Sequence, residues 1–381
     1  MLTNTDIAEL VSFRRALHRS PELSGEEART AATIGAALTG LAPDRLVTGL
    51  GGHGVAAVFD SGVAGPTVMF RAELDALPID ENSGAPWSSE RPGKAHLCGH
   101  DGHMAILMAL ARLLSRNRPA TGRAILMFQP AEEDGSGARA VVADPRYQDI
   151  LPDWAFAIHN EPGLPFGYVG IRPGLINCAS RGLAISLKGR TSHAAEPELA
   201  VSPVPILPDI LNALQDLGAG GPLDEDFRLT TVTHVKAGAA TFGITPGDAL
   251  IHVTLRASHD DGILQLQNAA ETIVRSLCDP QDMTPGFEIH DDFAASLNDP
   301  EAVDIACGAM GALGIPFGDD GVPMRASEDF GAFGWTAKAA MLCLGPGEDH
   351  AALHQPEYDF ADDLIPVGAR IFDRIARDLL G

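Results

Sequence analysis

Apolar runs of strand length alternate with helical patterns along the first 160 residues, and this alternation limits the possible folds more than any other feature. Helical patterns cover residues 5–18, 24–38 and 101–115, and strand-like runs cover 55–59, 67–71, 123–129 and 154–159. Such alternation indicates an α/β domain with a largely parallel, twisted sheet flanked by helices. Ser24 and Glu27 form a capping-box pattern that predicts the start of the second helix.

The pattern changes at Gly182. Strand-like runs and helical patterns then follow in the order β-α-β-β-α-β, at residues 183–187, 204–217, 230–236, 249–256, 263–277 and 287–290. This order is that of small ferredoxin-like domains. A helical pattern at 365–380 resumes the earlier type of structure. We therefore expect one α/β domain formed by residues 1–181 and 298–381, interrupted by an inserted domain of residues 182–297.

Charge and cysteine content limit the binding partners and the cellular location that the sequence predicts. The 381 residues carry 51 acidic against 27 basic side chains, a formal net charge of −24, which disfavours nucleic acid and anionic membranes as partners. No apolar run approaches the about 18–20 residues that span a bilayer, and the N-terminus has no signal-peptide pattern. Five scattered cysteines, an odd number, indicate reduced thiols and a cytoplasmic protein.

The segment from Lys94 to Ala105, K-A-H-L-C-G-H-D-G-H-M-A, groups Cys98, His100 and His103 at the predicted start of a helix. Thiolate and imidazole groups bind borderline-soft divalent metal ions, and the neighbouring glycines allow a tight turn. The cluster therefore indicates a metal site. A buried thiol beside a helix-capping histidine is the structural alternative, and this segment alone leaves both open.

Two further strand-like runs end in candidate ligands. Glu132 and Glu133 follow the run 123–129, and His159 ends the run 154–159. Taken singly, the acids can be solvated loop residues and the histidine a hydrogen-bonded core residue. Because sites in α/β sheets form at the carboxyl ends of strands, three such segments together predict one metal site. One carboxylate would bind metal while its neighbour transfers protons.

Other candidates lie outside these segments. Glu73 and Asp75 follow a strand and can support the site or be ordinary turn acids, and His193 follows a strand in the inserted domain. His354 or His350 offers a last metal ligand near the C-terminus.

Two other enzyme classes are disfavoured. Residues 49–54, G-L-G-G-H-G, fit a dinucleotide-binding pattern but open no helix, and no G-x-S-x-G elbow of a serine hydrolase is present.

Seven windows resemble, in order and spacing, the dinuclear metallo-amidohydrolases of the aminoacylase and carboxypeptidase superfamily. The most similar branch contains hippurate hydrolases, indole-acetyl-amino-acid hydrolases and N-acetyl-diaminopimelate deacetylases. The windows are F-R-A-E-L-D-A-L-P-I, H-L-C-G-H-D-G-H-M-A, F-Q-P-A-E-E, I-H-N, G-R-T-S-H-A-A-E-P, S-E-D-F and L-H-Q-P-E-Y-D-F.

The resemblance implies a role for each candidate. It implies two divalent metal ions (Zn, Mn, Co or Ni) that share a water molecule, with Glu132 as the general base that activates it. His193 would stabilise the oxyanion, in several relatives from the partner subunit, while His103 and His350 would be bystanders. The implied metal ligands are Cys98, His100, Glu133, His159 and His354.

The same resemblance implies an amidohydrolase acting on N-acyl amino acids, with an α/β catalytic domain and an inserted lid domain that forms a homodimer. Independently of the resemblance, Arg256 ends a strand-like run of the inserted domain and would bind the substrate carboxylate there, although a structural ion pair explains it equally well. The alternatives are a catalytically impaired metal- or ligand-binding homologue, which the intact Glu132 disfavours, and a dipeptidase or carboxypeptidase of the same superfamily.

Four positions depart from the family pattern: Gly243 replaces an Asn donor of the lid, Glu198 and Ser202 replace a His and an Asp, and Glu73 replaces an Asp. These changes spare the implied ligands and base but affect the substrate pocket and the share of the lid in catalysis.

Overall fold

The computed structural model describes residues Met1–Gly381 and contains two compact units. Unit 1 comprises Met1–Ile176, Ser296–Pro323 and Glu328–Gly381, and unit 2 comprises Asn177–Ala295 with Met324–Ser327. The main domain boundaries fall after residues 176 and 295, whereas the sequence predicts them after residues 181 and 297. The segment Met324–Ser327 belongs to unit 2, and the Cys178 amide of that unit donates to the carbonyl of Ala326 in this segment at 3.1 Å.

Eight α-helices form, and none combines the length and apolarity needed to span a membrane. They are α1 (Asn4–His18), α2 (Ala28–Thr39), α3 (His100–Arg116), α4 (Gly137–Ala143), α5 (Leu207–Asp216), α6 (Asp260–Cys278), α7 (Pro300–Leu313) and α8 (Leu364–Leu380). The strands are β1 (Arg45–Leu50), β2 (Gly54–Asp60), β3 (Thr67–Glu73), β4 (Arg123–Gln129), β5 (Trp154–Asn160), β6 (Val169–Gly170), β7 (Gly174–Asn177), β8 (Ala179–Lys188), β9 (Ser192–His193), β10 (Arg228–Ala237), β11 (Ile244–Thr245), β12 (Asp248–Ala257), β13 (Thr284–Phe293), β14 (Ser296–Asn298), β15 (Phe317–Gly318) and β16 (Lys338–Leu344).

Unit 1 is built on an eight-stranded sheet with the order β1-β2-β4-β3-β5-β16-β6-β15. The four central strands, β4, β3, β5 and β16, are parallel, while β1, β2 and β6 add antiparallel pairings toward the edges. Every residue of β3 is buried, as expected for a parallel strand covered on both faces. The predicted α/β class with a mostly parallel sheet is confirmed.

The parallel register brings the carboxyl ends of the central strands to one edge of the sheet. Glu73 at the end of β3 pairs with Gln129 at the end of β4, and Asn160 at the end of β5 pairs with Leu344 of β16. The segments that follow these strands therefore start at the same edge, which is where sites form in such sheets.

The predicted capping box of α2 is wrong. The helix begins at Ala28, and the preceding Glu27 makes no side-chain cap. The Glu22 carboxylate accepts instead from the Arg29 and Thr30 amides of the first turn, at 2.9 and 2.8 Å. The Ser24 hydroxyl donates instead to Asp75 at 2.8 Å, and the Glu27 carboxylate accepts from the Gly25 and Ala131 amides at 2.9 and 2.8 Å. Tertiary partners thus take both side chains away from the local pattern.

Unit 2 has the β-α-β-β-α-β order expected from the sequence. Its antiparallel sheet has the order β10-β12-β8-β13, and α5 and α6 pack against alternate residues of the central strands. Ile185 and Ile251 from the sheet are fully buried with Ile210 of α5 and Val274 of α6. A separate two-stranded ribbon of β9 and β11 carries His193.

Candidate metal centre

The predicted ligand side chains lie on four segments of unit 1. Cys98 lies two residues before His100, which is the first residue of α3. Glu132 and Glu133 follow β4, His159 lies on β5, and His354 lies in the loop before α8. Two of these segments belong to or follow strands of the central sheet, and the His354 amide donates to the Leu97 carbonyl beside Cys98, so the fold gathers residues that are far apart in the sequence.

These side chains converge into overlapping groups in which the candidate ligand atoms lie within 4.8 Å of one another. One group is Cys98, His100 and His159, a second is Cys98, Glu133 and His354, and a third is His100, Glu132 and Glu133. The five predicted ligands and the predicted base therefore share one site.

Individual distances show how close the contacts are. The Cys98 Sγ lies 3.4 Å from the His159 Nε2. The Glu133 carboxylate lies 3.8 Å from the His100 Nε2 and 3.7 Å from the His354 Nε2.

Backbone carbonyl groups fix the tautomers of two histidines. The His100 Nδ1 donates to the Asp75 carbonyl at 3.0 Å, and the His159 Nδ1 donates to the Asn160 carbonyl at 2.8 Å. The Nε2 atom of each ring is therefore the nitrogen that remains available to a metal ion, and it is directed into the site. The buried His100 Nε2 has no hydrogen-bond partner. Metal-binding histidines typically show this arrangement, in which the far nitrogen is held by a carbonyl or carboxylate.

The electrostatics of the site favour a bound cation. Burial raises the pKa of Glu133 to about 7 although the nearby His100 opposes the shift. Burial, followed by the charges of Glu133 and Glu132, also holds the pKa of the Cys98 thiol well above its usual range. A divalent ion would reverse both shifts, because it stabilises thiolate and carboxylate directly. The mixed sulfur, imidazole and carboxylate donors fit a borderline-soft metal.

Glu132 lies beside the ligands and is only 5 % exposed. Its carboxylate contacts the His100 Nε2 at 3.7 Å. Burial, then the charges of Glu328 and Glu133, raise the pKa of Glu132 well above that of an ordinary glutamate. A carboxylate of raised pKa next to a metal site is suited to accept a proton.

A buried arginine organises the acids behind Glu132. The Arg71 guanidinium contacts Glu73, and it binds Glu328 at 2.8 Å and Asp329 at 2.7 Å. Sequence reasoning assigned no role to Arg71 or Glu328. Their signal was the presence of both residues in windows that resemble the family, F-R-A-E-L-D and S-E-D-F.

Three polar residues near the ligands are directed elsewhere. His103 uses both ring nitrogens in hydrogen bonds, with Glu73 and Asn160. The Asp101 carboxylate binds Arg14 at 3.1 Å and His18 at 2.8 Å. The His350 ring packs edge-on against Tyr358.

Two predicted site residues belong to unit 2. His193 is exposed on the β9–β11 ribbon, where the Ala195 amide donates to its Nδ1 at 3.1 Å. The Arg256 guanidinium donates to the Arg325 carbonyl at 2.8 Å and to the Ser327 hydroxyl at 2.7 Å. Arg256 therefore binds no carboxylate in unit 2, so a structural ion pair does not explain its presence.

Comparisons with known proteins identify the family of the chain. Residues 69–378 match the family model of peptidase family M20/M25/M40. The chain is 27 % identical over 368 residues to N-acetyldiaminopimelate deacetylase of Exiguobacterium sibiricum, covering 97 % of this chain and 98 % of that protein. It is 28 % identical over 376 residues to hippurate hydrolase of Campylobacter jejuni, covering 97 % and 96 %.

Solved structures give the same result for the fold. The YXEP protein of Bacillus subtilis, described as a dinuclear metal binding peptidase of the M20 family, matches with a TM-score of 0.82 at 24 % identity, over 100 % of this chain and 99 % of that chain. The resemblance inferred from the seven sequence windows is confirmed. The protein belongs to peptidase family M20/M25/M40 and is a metal-dependent hydrolase of its amidohydrolase branch.

Proposed function

We propose that this protein hydrolyses the amide bond of N-acyl amino acids, such as N-acetyl or N-benzoyl conjugates. The observation that carries the proposal is the convergence of six side chains on one site, in which Cys98, His100 and Glu132 are buried and His354 is exposed. Cys98, His100, Glu133, His159 and His354 would hold two divalent ions, and Glu132 lies beside them without being needed as a ligand.

The bound metal ions would act as Lewis acids that lower the pKa of a water molecule and polarise the substrate carbonyl. The protein supplies the proton transfers. Glu132 takes a proton from the attacking water, whose oxygen forms the new bond to the acyl carbon. Glu132 then delivers that proton to the amide nitrogen as the C–N bond breaks, so that the free amine leaves together with the carboxylic acid, which ionises to the carboxylate by releasing its own proton to solvent.

Unit 2 provides two groups for the same reaction. His193 has an accessible ring that would stabilise the oxyanion, and Arg256 has no carboxylate partner and would bind the carboxylate of the amino acid.

The side chains of Phe242 and Ile244 are 105 % and 51 % exposed on the segment that carries Gly243. This apolar exposure supports a homodimer formed through unit 2, and light scattering of the purified protein would test it. The five free cysteines support a cytoplasmic location.

The test separates metal binding from catalysis. The protein is stripped with a chelator, reloaded with Zn, Mn, Co or Ni, and examined for metal content and for amine release from a panel of N-acetyl and N-benzoyl amino acids and dipeptides. Two ions per chain and turnover of acyl amino acids are expected. Preferred cleavage of dipeptides would favour a dipeptidase, and two ions without any turnover would favour an impaired homologue.

Adjacent glutamates provide matched variants. Glu132→Gln should keep both metal ions and lose turnover by about 10²–10⁴-fold, the usual contribution of a general base. Glu133→Gln should instead lose metal. Full activity of Glu132→Gln would reject the assigned base, and unchanged metal content of Glu133→Gln would reject the assigned ligand.

A further inference from the structure

We propose that His103 is a positioning residue of the metal centre, which acts through Asn160 to hold the Cys98 and His159 segments in place. The inference rests on the proposed assignment of Cys98 and His159 as ligands. It gives a role to a histidine that the family resemblance left as a bystander.

The hydrogen bonds of His103 define its tautomer. The Asn160 backbone amide lies 3.0 Å from the His103 Nε2, and the Asn160 Nδ2 lies 3.1 Å from the same atom. A backbone N–H can only donate, so the Nε2 must be an unprotonated acceptor. The proton then lies on Nδ1, which donates to the Glu73 carboxylate at 2.7 Å. Both ring nitrogens are occupied, so His103 has none left for a metal ion.

Asn160 connects the two ligand segments. Its Nδ2 donates to the Cys98 carbonyl at 2.8 Å, and its own carbonyl accepts from the His159 Nδ1 at 2.8 Å. The Tyr358 hydroxyl donates to the Asn160 Oδ1, so the side-chain amide is held on both sides. A rotation of Asn160 would remove the hydrogen bond that holds the Cys98 carbonyl. It would also remove the acceptor of the His159 Nδ1, so that the His159 tautomer would no longer be fixed. The acceptor at His103 Nε2 opposes that rotation.

A packing role for His103 makes a different prediction from a positioning role. The side chain is 2 % exposed, so any replacement that fills the space would serve packing equally well. A positioning role requires an acceptor at the place of Nε2. His103→Gln can place its Oε1 near that point and keep the acceptor for Asn160. His103→Asn can place its Nδ2 near the position of Nδ1 and keep only the donor to Glu73.

The experiment uses cobalt as the probe. Metal-free wild type and both variants are titrated with Co²⁺ against a chromophoric chelator, and the thiolate-to-cobalt charge-transfer band is recorded. Loss of a hydrogen-bond partner behind a metal ligand typically lowers metal affinity by about 10- to 100-fold. We expect this loss and a changed band for His103→Asn, and near-wild-type affinity and band for His103→Gln.

A double-variant cycle tests the route of the effect. In an Asn160→Ser background, His103→Asn should lower cobalt affinity no further, because the link is already broken. Equal effects of Gln and Asn at position 103, or additive effects of His103→Asn and Asn160→Ser, would overturn the inference. If His103→Asn does not fold, the Gln variant must still match wild type and Asn160→Ser must still lose affinity, or the inference fails. A wild-type protein without a thiolate–cobalt band would instead reject the proposed ligand set.

Discussion

Gly99, between Cys98 and His100, offers a quantitative test of how tightly the ligand turn is packed. Its φ of +92° and ψ of 11° lie in the left-handed region. A Cβ atom built on it would lie 2.4 Å from the Asn160 Nδ2 and 2.6 Å from the Tyr358 hydroxyl. Real Cβ atoms essentially never show such distances, so Gly99→Ala must displace one of these groups.

Two terms contribute to the expected loss of stability. A non-glycine residue in the left-handed region costs about 1–2 kcal/mol. Displacing Asn160 or Tyr358 breaks a buried hydrogen bond and leaves a polar atom unpaired, which costs about 1–3 kcal/mol. We therefore expect Gly99→Ala to lower the free energy of unfolding by about 2–5 kcal/mol.

Gly163 provides the matched control. Its φ is +95°, and a Cβ atom at that position would meet nothing within 4 Å. Gly163→Ala should therefore lose only the backbone term of about 1–2 kcal/mol. The difference between the two variants isolates the steric and hydrogen-bond term.

Urea unfolding of the metal-free protein measures both values. The three tryptophans, Trp87, Trp154 and Trp335, all lie in unit 1, so their fluorescence follows the unit that contains both glycines. Equal losses for Gly99→Ala and Gly163→Ala would refute the reasoning, because they would show that the turn yields without breaking a buried contact.

Arg71→Met should lower the free energy of unfolding by about 3–5 kcal/mol, because it leaves Glu73, Glu328 and Asp329 buried without the guanidinium that binds them. A loss below about 1 kcal/mol in the same urea assay would contradict this account. Burial raises the pKa of Glu161 from 4.5 to about 7, so the metal-free folded protein holds a proton that the unfolded chain has released, and stability should fall as the pH rises through this interval. Glu161→Gln should therefore be more stable than wild type at about pH 8 and similar to it at about pH 4, and equal stability at both would reject the shifted pKa. Removing metal ions with a chelator should lower stability by about 4 kcal/mol per site if free metal stands at 1,000 times Kd, and an unchanged melting temperature would argue against the proposed centre.

Local patterns predicted much of the fold because strand and helix signals depend on near neighbours. The runs that became β3, β4, β5 and α3 were located to within a few residues. Strand β16 was not identified individually, although it lies between β5 and β6 in the sheet. Its seven residues, K-A-A-M-L-C-L, have no alternation because the strand is almost entirely buried, and a short apolar run of this kind does not distinguish a strand from a buried helix segment.

The sequence predicts which side chains offer ligand atoms to a metal ion, but not the contacts that hold those side chains in place. Cys98, His100, Glu133 and His159 are chemically conspicuous at strand and helix ends. His354 and His350 were indistinguishable until the resemblance favoured His354. In the structure, His354 has a φ of +65°, and its amide donates to the Leu97 carbonyl at 2.8 Å, beside Cys98. No local pattern specifies a left-handed histidine held by a segment 257 positions away, a separation that follows from the two residue numbers.

The sequence by itself determined the family, the class of fold and the kinds of ligand atoms, because motif spacing and periodicity are local properties. The tertiary structure alone decided which of those atoms meet and which tautomers they adopt. In the folded protein Ser24 does not cap a helix but donates a hydrogen bond to Asp75, and His103 binds Glu73 rather than a metal ion. The reason is physical: a buried polar group must find a partner, and in a folded chain that partner comes from whichever distant segment packing brings within reach.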